Sequence, residues 1–380
     1  SSGGSSAGAE SKPIPDATRT VPVSGTSALK SAISNAQPGD HIVLANGSYS
    51  GFTVSKNGTK DRPIVIRAAN KLQARYNGRI TLTGDWLYVV GLDMGGGKIV
   101  VSGKNNRVSS NSFRSVDMPI VINGDARSAL IDHNEIDQGG SGSDANRRGI
   151  RMNYSFNTNN LNHQILRNYL HDAKGRNNNA IVSSENGYMR TVDTGTVIEY
   201  NLVQNWPGGR CVGVKSSKNI IRFNSCVNSG SEQMVNRAGD NNQWIANWLE
   251  NSGALRITSQ GNTVIGNVSP KNGFWLHTGN LPASESGRVV PGGNFPTPVY
   301  IAATDTTLAG NTGTISLGER YSSSSQYPTK DTLIEAHAGS IRRGKETGTR
   351  INNSTSRNIP QAIKLTPSQV GPNAPTAPRL

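Results

Sequence analysis

The sequence predicts an all-β chain wound as a right-handed parallel β-helix, a solenoid with a short capping helix at its N-terminal end. Three observations carry this expectation. A short phrase centred on Asn recurs along the chain at intervals near 23 residues or simple extensions of that interval. Each copy is brief, rich in Ile and Val, and bounded by Gly, Asn or Ser, as short strands are. With 43 glycines and only 6% aromatic residues, the composition favours turns over long helices.

Taken in chain order, residues 1–12 are a flexible Ser/Gly-rich linker, outside the fold. Residues 13–345 form one solenoid domain. Near its start Leu29, Ile33 and Ala36 are spaced as on a helix that Pro38-Gly39 ends, and this helix covers the first coil. Strands follow around His41–Leu44, Pro63–Ala68 and Ile80–Thr83. The repeat then reads RVSSNSF at Asn111, LIDHNEI at Asn134, QILRNYL at Asn168, VIEYNLV at Asn201, IIRFNSC at Asn224, QWIANWL at Asn247, TVIGNVS at Asn267 and TLAGNTG at Asn311. The intervals are 23, 34, 33, 23, 23, 20 and 44 residues. The interval of 44 is two turns; those of 33 and 34 are one turn plus an inserted loop. Units this short cannot bury a core alone, so they stack, about 4.8 Å per coil. Stacked Asn side chains bond to one another and to backbone inside a turn, which makes them scaffold. Residues 346–380 are polar and Pro-rich and run as an extended tail.

The net charge of +14 and pI near 9.9 attract polyanions. There is no basic helix, zinc spacing or aromatic-rich RNA-binding strand, so an acidic polysaccharide is favoured over nucleic acid. No apolar stretch approaches the ~20 residues of a membrane helix. Cys211 and Cys226 either pair or stay as two buried thiols; their apolar surroundings favour thiols slightly. The oligomeric state is left open.

Stacking turns offsets into neighbours. Lys215 is Asn201 plus 14 and Arg237 is Asn224 plus 13, so the two sit side by side on adjacent coils. A second column, nine or ten residues after each Asn, contains Asn178, Arg210, Gln233, Arg256 and His277. Such a polar and mostly cationic stripe suits a chain of carboxylates, although outward positions of any solenoid are polar. The loop before Asn168 adds Arg147, Arg148 and Arg151, which either overhang the groove or form a solvated run. Tyr188, Trp206 and Trp275 either stack on sugar rings or pack locally.

The segment from TGTVIEYN to NNQWIANWL, with VKS at Val214–Ser216 and NRAG at Asn236–Gly239, resembles polysaccharide lyase family 6, the alginate lyase and chondroitinase B type. The stretches Leu161–Asn179 and Gly39–Ala69 resemble it too, and the likeness spans roughly residues 25 to 280. The resemblance implies β-elimination on a uronate. Lys215 would remove the proton at carbon 5, and Arg237 would assist at the leaving oxygen on carbon 4. A lysine base needs a lowered pKa, and the positive charge of Arg237 and Arg210 pushes in that direction. Arg stays protonated and so stabilises charge rather than donating a proton; a tyrosine or water supplies it.

Two departures from the family pattern stand out. Gly208 and Arg210 occupy the positions of two acidic calcium ligands, so no cofactor is expected, and Arg210 takes over the metal's contact with the substrate carboxylate. Ala238 stands where the family has His after the Arg. The expected substrate-binding set is Arg210, Asn178, Gln233, Arg256, Arg151, Arg148, His277 and Tyr188. Alginate is the expected polymer, and the protein is expected to be secreted or periplasmic. The alternatives are a dermatan or chondroitin sulfate lyase, a uronate C5-epimerase and a non-catalytic polysaccharide-binding solenoid. A glycoside hydrolase would need two facing carboxylates, and Glu232 has no evident partner.

Overall fold

The computed structural model describes residues 12–140, 147–154, 159–175, 179–183, 187–230, 232–280, 290–291, 301–320 and 326–380; side chains at 187–191, 232, 233, 290 and 291 are not described. A nine-residue helix, Thr26–Ser34, packs Leu29 and Ile33 over the first winding. Beyond it the chain is a stack of short parallel strands. One sheet contains 14 strands, from Arg19–Val23 to Arg350–Asn352, each paired with the strand one winding earlier and one later. The other panels form a second large parallel sheet. The parallel β-helix expected from the repeat is the fold observed. Among the described residues no helix is long and apolar enough to cross a membrane.

Registered stacking explains why β-branched residues dominate. On the 14-stranded sheet one inward column runs without a break from Ile42 through Ile66, Val89, Ile131, Ile198 and Trp244 to Ile334, all fully buried. Each such side chain contributes roughly 1.5–3 kcal/mol on burial. Every winding is too thin to shield its own face, so the core exists only as the stack.

The Asn phrase marks a sharp corner. The residue before each ladder Asn is left-handed, with φ near +50 to +65° at Ser110, His133, Arg167, Tyr200, Phe223, Ala246, Gly266 and Gly310. A non-glycine residue there costs about 1–2 kcal/mol. The ladder offsets it. Each Oδ1 accepts both the backbone N–H and the side-chain amide of the Asn one winding below, as Asn224 does from Asn201 at 3.0 Å each. Each amide also donates to a backbone carbonyl, as Asn201 does to Ile165 (2.9 Å). The ladder is continuous from Asn111 to Asn311.

One interval and one boundary differ from expectation. Asn267 N–H donates directly to Asn311 Oδ1 (2.9 Å) and their strands pair, so the interval of 44 is one winding and not two turns. Glu346–Thr347 and Arg350–Asn352 still pair within the stack, so the tail starts after Asn352; these strands read as tail because the last winding is mostly exposed and therefore polar. The tail then runs back along the outside of the left-handed corner. Ile359 lies on Gly310, Gly371 N–H donates to Arg167 O (2.9 Å), Thr376 bonds His133 (2.8 Å), and Leu380 reaches Gly91. The cysteines are corrected as well. Cys211 and Cys226 form a disulfide, Cα atoms 6.2 Å apart, joining successive windings inside the core. Sixteen consecutive residues do not reveal that the solenoid folds one back over the other.

Candidate active site

The strand Val212–Val214 stacks on Glu232–Asn236 with Val214 opposite Asn236. The register continues one residue further, where Arg237 N–H donates to Val214 O at 3.0 Å. Lys215 and Arg237 are therefore neighbours on successive windings. Val214 and Asn236 point inward and are fully buried, so the residues that follow them lie on the outer face, where both are half-buried. This is the pairing expected from the offsets of 14 and 13.

The second expected column does not stack as drawn. Arg256 pairs with Val235, which pairs with Gly213, which pairs with Val182, which pairs with Arg151; on the other side Arg256 pairs with Trp275. Gly213 is Asn201 plus 12, Val235 is Asn224 plus 11, Arg256 is Asn247 plus 9 and Trp275 is Asn267 plus 8. The turn between ladder and site shortens from winding to winding, and a bulge at Gln233 removes another step. Equal offsets thus drift out of register. His277 falls beside Leu276, which is three strand pairings beyond Val214, so it belongs to the Lys215–Arg237 row and not to that of Arg256.

Arg210 reaches the site by its side chain. Its N–H donates to Asn179 Oδ1 (3.3 Å), and its chain crosses over Gly213. A Cβ on Gly213 would lie 3.1 Å from Arg210 Cδ and 3.8 Å from Val182 Cγ2. That contact is tight enough that any side chain there would have to displace the arginine. The flanking Val182 and Val235 are covered, 2% and 1% exposed, although they belong to the outward row. Arg210 therefore lies flat on the sheet two residues from Lys215.

Arg256 and His277 extend the cationic face. Arg256 Nε donates to His277 Nε2 at 3.1 Å, and the two are 6% and 3% exposed. Burial and then the Arg256 charge push His277 down to about 3, so the ring is neutral and accepts at Nε2. Arg151 sits two windings below Gly213 in the same row, its Nε donating to Asn153 Oδ1 (2.9 Å). Arg148 is held by Asp117 through both carboxylate oxygens, at 3.1 and 2.8 Å. Asn178 lies outside the described residues, as do the side chains of Gln233 and Tyr188. Trp206 is fully buried, whereas Trp275 is half-exposed beside Arg256.

These residues suit an anion rather than a metal ion. Gly208 offers no side-chain ligand, and Arg210 brings a cation where a divalent ion would need carboxylate oxygen. A His and acid group does occur elsewhere, at Asp137, His171 and Asp172. There His171 bonds Glu135 (2.9 Å) and Asp172 (2.7 Å). Burial opposes its protonation, but these carboxylates outweigh it and hold its pKa above the ordinary value.

Sequence reading missed Gly213 as the floor under Arg210. It also missed a second interior column five residues before each ladder Asn. That column had a signal: Asn219, Asn242 and Asn262 repeat at the ladder's own intervals of 23 and 20.

The chondroitinase B family profile matches residues 23–272. Among curated proteins no sequence matches the chain. Several solved structures share its fold. A mannuronic acid specific polysaccharide family 6 lyase from human gut microbiota superposes with TM-score 0.65 at 19% identity, covering 86% of this chain and 83% of that one. A family 6 polysaccharide lyase from Pseudopedobacter saltans gives 0.68 at 15% identity, covering 93% and 99%. The alginate lyase AlyF-OU02, in complex with G6, gives 0.69 at 17% identity, covering 96% and 88%.

Proposed function

We propose, from the premise that this chain belongs to the chondroitinase B family and is a polysaccharide lyase, that it cleaves alginate by β-elimination without a metal ion. The observation that carries this reading is the registered pair Lys215 and Arg237 on one outer face, with Arg210 laid beside them over Gly213.

Uncharged Lys215 Nζ takes the proton from carbon 5 of the uronate. The released electron pair forms the double bond between carbons 4 and 5, and the bond from carbon 4 to the bridging oxygen breaks. A carbon acid of this kind is weak unless its carboxylate is neutralised. Arg210 supplies that charge, its planar guanidinium meeting both carboxylate oxygens. Arg237 stabilises the negative charge that develops at carbon 4's departing oxygen, and water completes the protonation. The row of Arg256 and Arg151 supports binding of further uronates along the groove. Alginate is favoured because two of the structural relatives act on it or its mannuronate.

The test is ultraviolet absorbance of the new conjugated double bond on alginate and dermatan sulfate. Lys215→Ala lowers kcat by about 10²–10⁴-fold, the range a general base contributes. Arg210→Ala lowers kcat/KM by more than tenfold, and a chelator leaves the wild type unchanged. Full activity in Arg210→Ala, or abolition by chelator, overturns the metal-free reading; turnover by Lys215→Ala overturns the base.

A further inference from the structure

Directly beneath the site lies a buried polar network that no catalytic step uses. Its centre is Ser216, the residue after Lys215. Ser216 Oγ lies 2.8 Å from Thr194 Oγ1, 3.0 Å from Asn219 Nδ2, 3.1 Å from Tyr154 Oη and 3.2 Å from Ser183 Oγ. Four partners on one hydroxyl exceed the single donor and two acceptor sites it offers, so the hydroxyls must settle a common order. Thr194 donates to Asn219 Oδ1 (2.6 Å), which leaves its oxygen to accept from Ser216. Ser216 then accepts from Asn219, with Tyr154 and Ser183 approaching from the windings below. Burial raises the Tyr154 pKa, so it stays a donor. All five residues are buried, four of them at 1% exposure or less.

The network continues to the next winding. Ser216 O accepts from Asn219 Nδ2 (3.1 Å) and Asn242 Nδ2 (2.9 Å). Asn242 also donates to Asn236 Oδ1 (2.7 Å), and Asn236 is the residue before Arg237. Asn236 in turn donates to Gly239 O (3.1 Å) and Thr258 O (2.9 Å), while Thr258 Oγ1 donates to Arg237 O (2.9 Å). The backbones touch as well. A Cβ at Gly239, where φ is +104°, would lie 1.9 Å from Ser216 O, so only glycine fits.

We propose that Ser216, Asn242 and Asn236 are positioning residues that lock Lys215 and Arg237 into one geometry through this shared network. The inference rests on the reading of Lys215 as base and Arg237 as its partner. One hydrogen-bonded unit under both residues fixes their relative position in a way that separate packing of each winding would not. Low-dielectric burial makes such networks stiff when every member is satisfied. Small misplacement of reacting groups is costly to rate and not to binding, since the sugars are held mainly by the outer cations.

The experiment measures kcat and KM on alginate, per folded enzyme, for Ser216→Ala, Asn242→Ala, Thr194→Val and the control Asn106→Ala. Asn106 occupies the same interior column far from the site, bonding Gly84 O and Leu87 N–H. Ser216→Ala and Asn242→Ala lower kcat by about ten- to a hundredfold with KM within twofold. Asn106→Ala lowers the melting temperature and leaves kcat unchanged. A kcat within twofold of wild type in either site variant overturns the proposal, as does an equal loss in Asn106→Ala. If Ser216→Ala does not fold, Thr194→Val decides: a several-fold fall in kcat supports the network, and unchanged kcat overturns it. Lys215→Ala is assayed alongside. If it retains turnover, the base assignment has failed; if it is inactive while Ser216→Ala is unimpaired, the positioning inference alone has failed.

Discussion

Two polar columns run side by side through the interior, five residues apart, and they are built differently. The corner column is Asn at all eight positions from Asn111 to Asn311. The neighbouring column reads Asn106, Ala129, His163, Thr196, Asn219, Asn242, Asn262 and Thr306. Both are buried, and in both a side chain often accepts the backbone N–H of the winding below, from Leu87 to Asn106 and from Ala129 to His163 among others. The corner has the same left-handed turn on every winding, so one residue type solves it every time. The second column follows turns that vary, so its chemistry is local. Apart from Asn106, its amides run at 219, 242 and 262, the first two directly after the strands that lead to Lys215 and Arg237. Uniformity marks scaffold, and departure from it marks where the scaffold serves the site.

The comparison breaks most readily at the corner. Asn201→Ala strands Asn168 N–H and one hydrogen of Asn168 Nδ2 in the core and removes the side-chain donor to Ile165 O. At about 1–3 kcal/mol for each unsatisfied group, and less than additively, the loss is about 3–5 kcal/mol. Denaturant unfolding reads it, and kcat of the surviving folded fraction stays at the wild-type value. A specific loss of kcat would mean that the uniform column also serves the site.

Acid sensitivity separates the columns further, because amides do not titrate and His163 does. Burial, with a smaller push from Arg127, lowers His163 to about 3, and its Nδ1 accepts the Ala129 N–H at 3.1 Å. The unfolded chain binds this proton near pH 6.5, the folded one only near pH 3. Between these values the unfolded state holds more protons, so stability falls as the pH drops. The fall amounts to about 3 kcal/mol by pH 4. His163→Asn, which makes this position resemble the corner, flattens that limb of the melting temperature against pH. An unaltered limb would place the acid sensitivity elsewhere.

The smallest effect is expected on the outside of the corner, where the tail packs Leu365 and Val370 against Leu166, Tyr200 and Leu202. Leu365→Ala costs about 2 kcal/mol, the low end for a buried leucine at a surface cluster, and leaves alginate turnover unchanged. Lost turnover would tie the tail to the groove on the opposite panels.

The uniform column was legible because identical geometry demands identical residues, and repetition is what a single sequence displays best. The adjacency of Lys215 and Arg237 was legible for the same reason, since their offsets from the ladder differ by one. The row joining Arg151, Gly213 and Arg256 was not, because the intervening turn shortens by one to three residues per winding and counting cannot follow it. The approach of Arg210 over Gly213 is a side-chain event with no period. The cysteines lay in apolar runs that suggested thiols, whereas their bonding depends on which residues the winding superposes.

By itself the sequence determined the architecture, the ladder and the adjacency of Lys215 and Arg237, since each follows from a spacing repeated along the chain. Only the tertiary structure decided the disulfide, the cationic row and the hydrogen-bonded floor beneath the site. Those depend on contacts between windings of unequal length, and unequal lengths leave no constant interval to read.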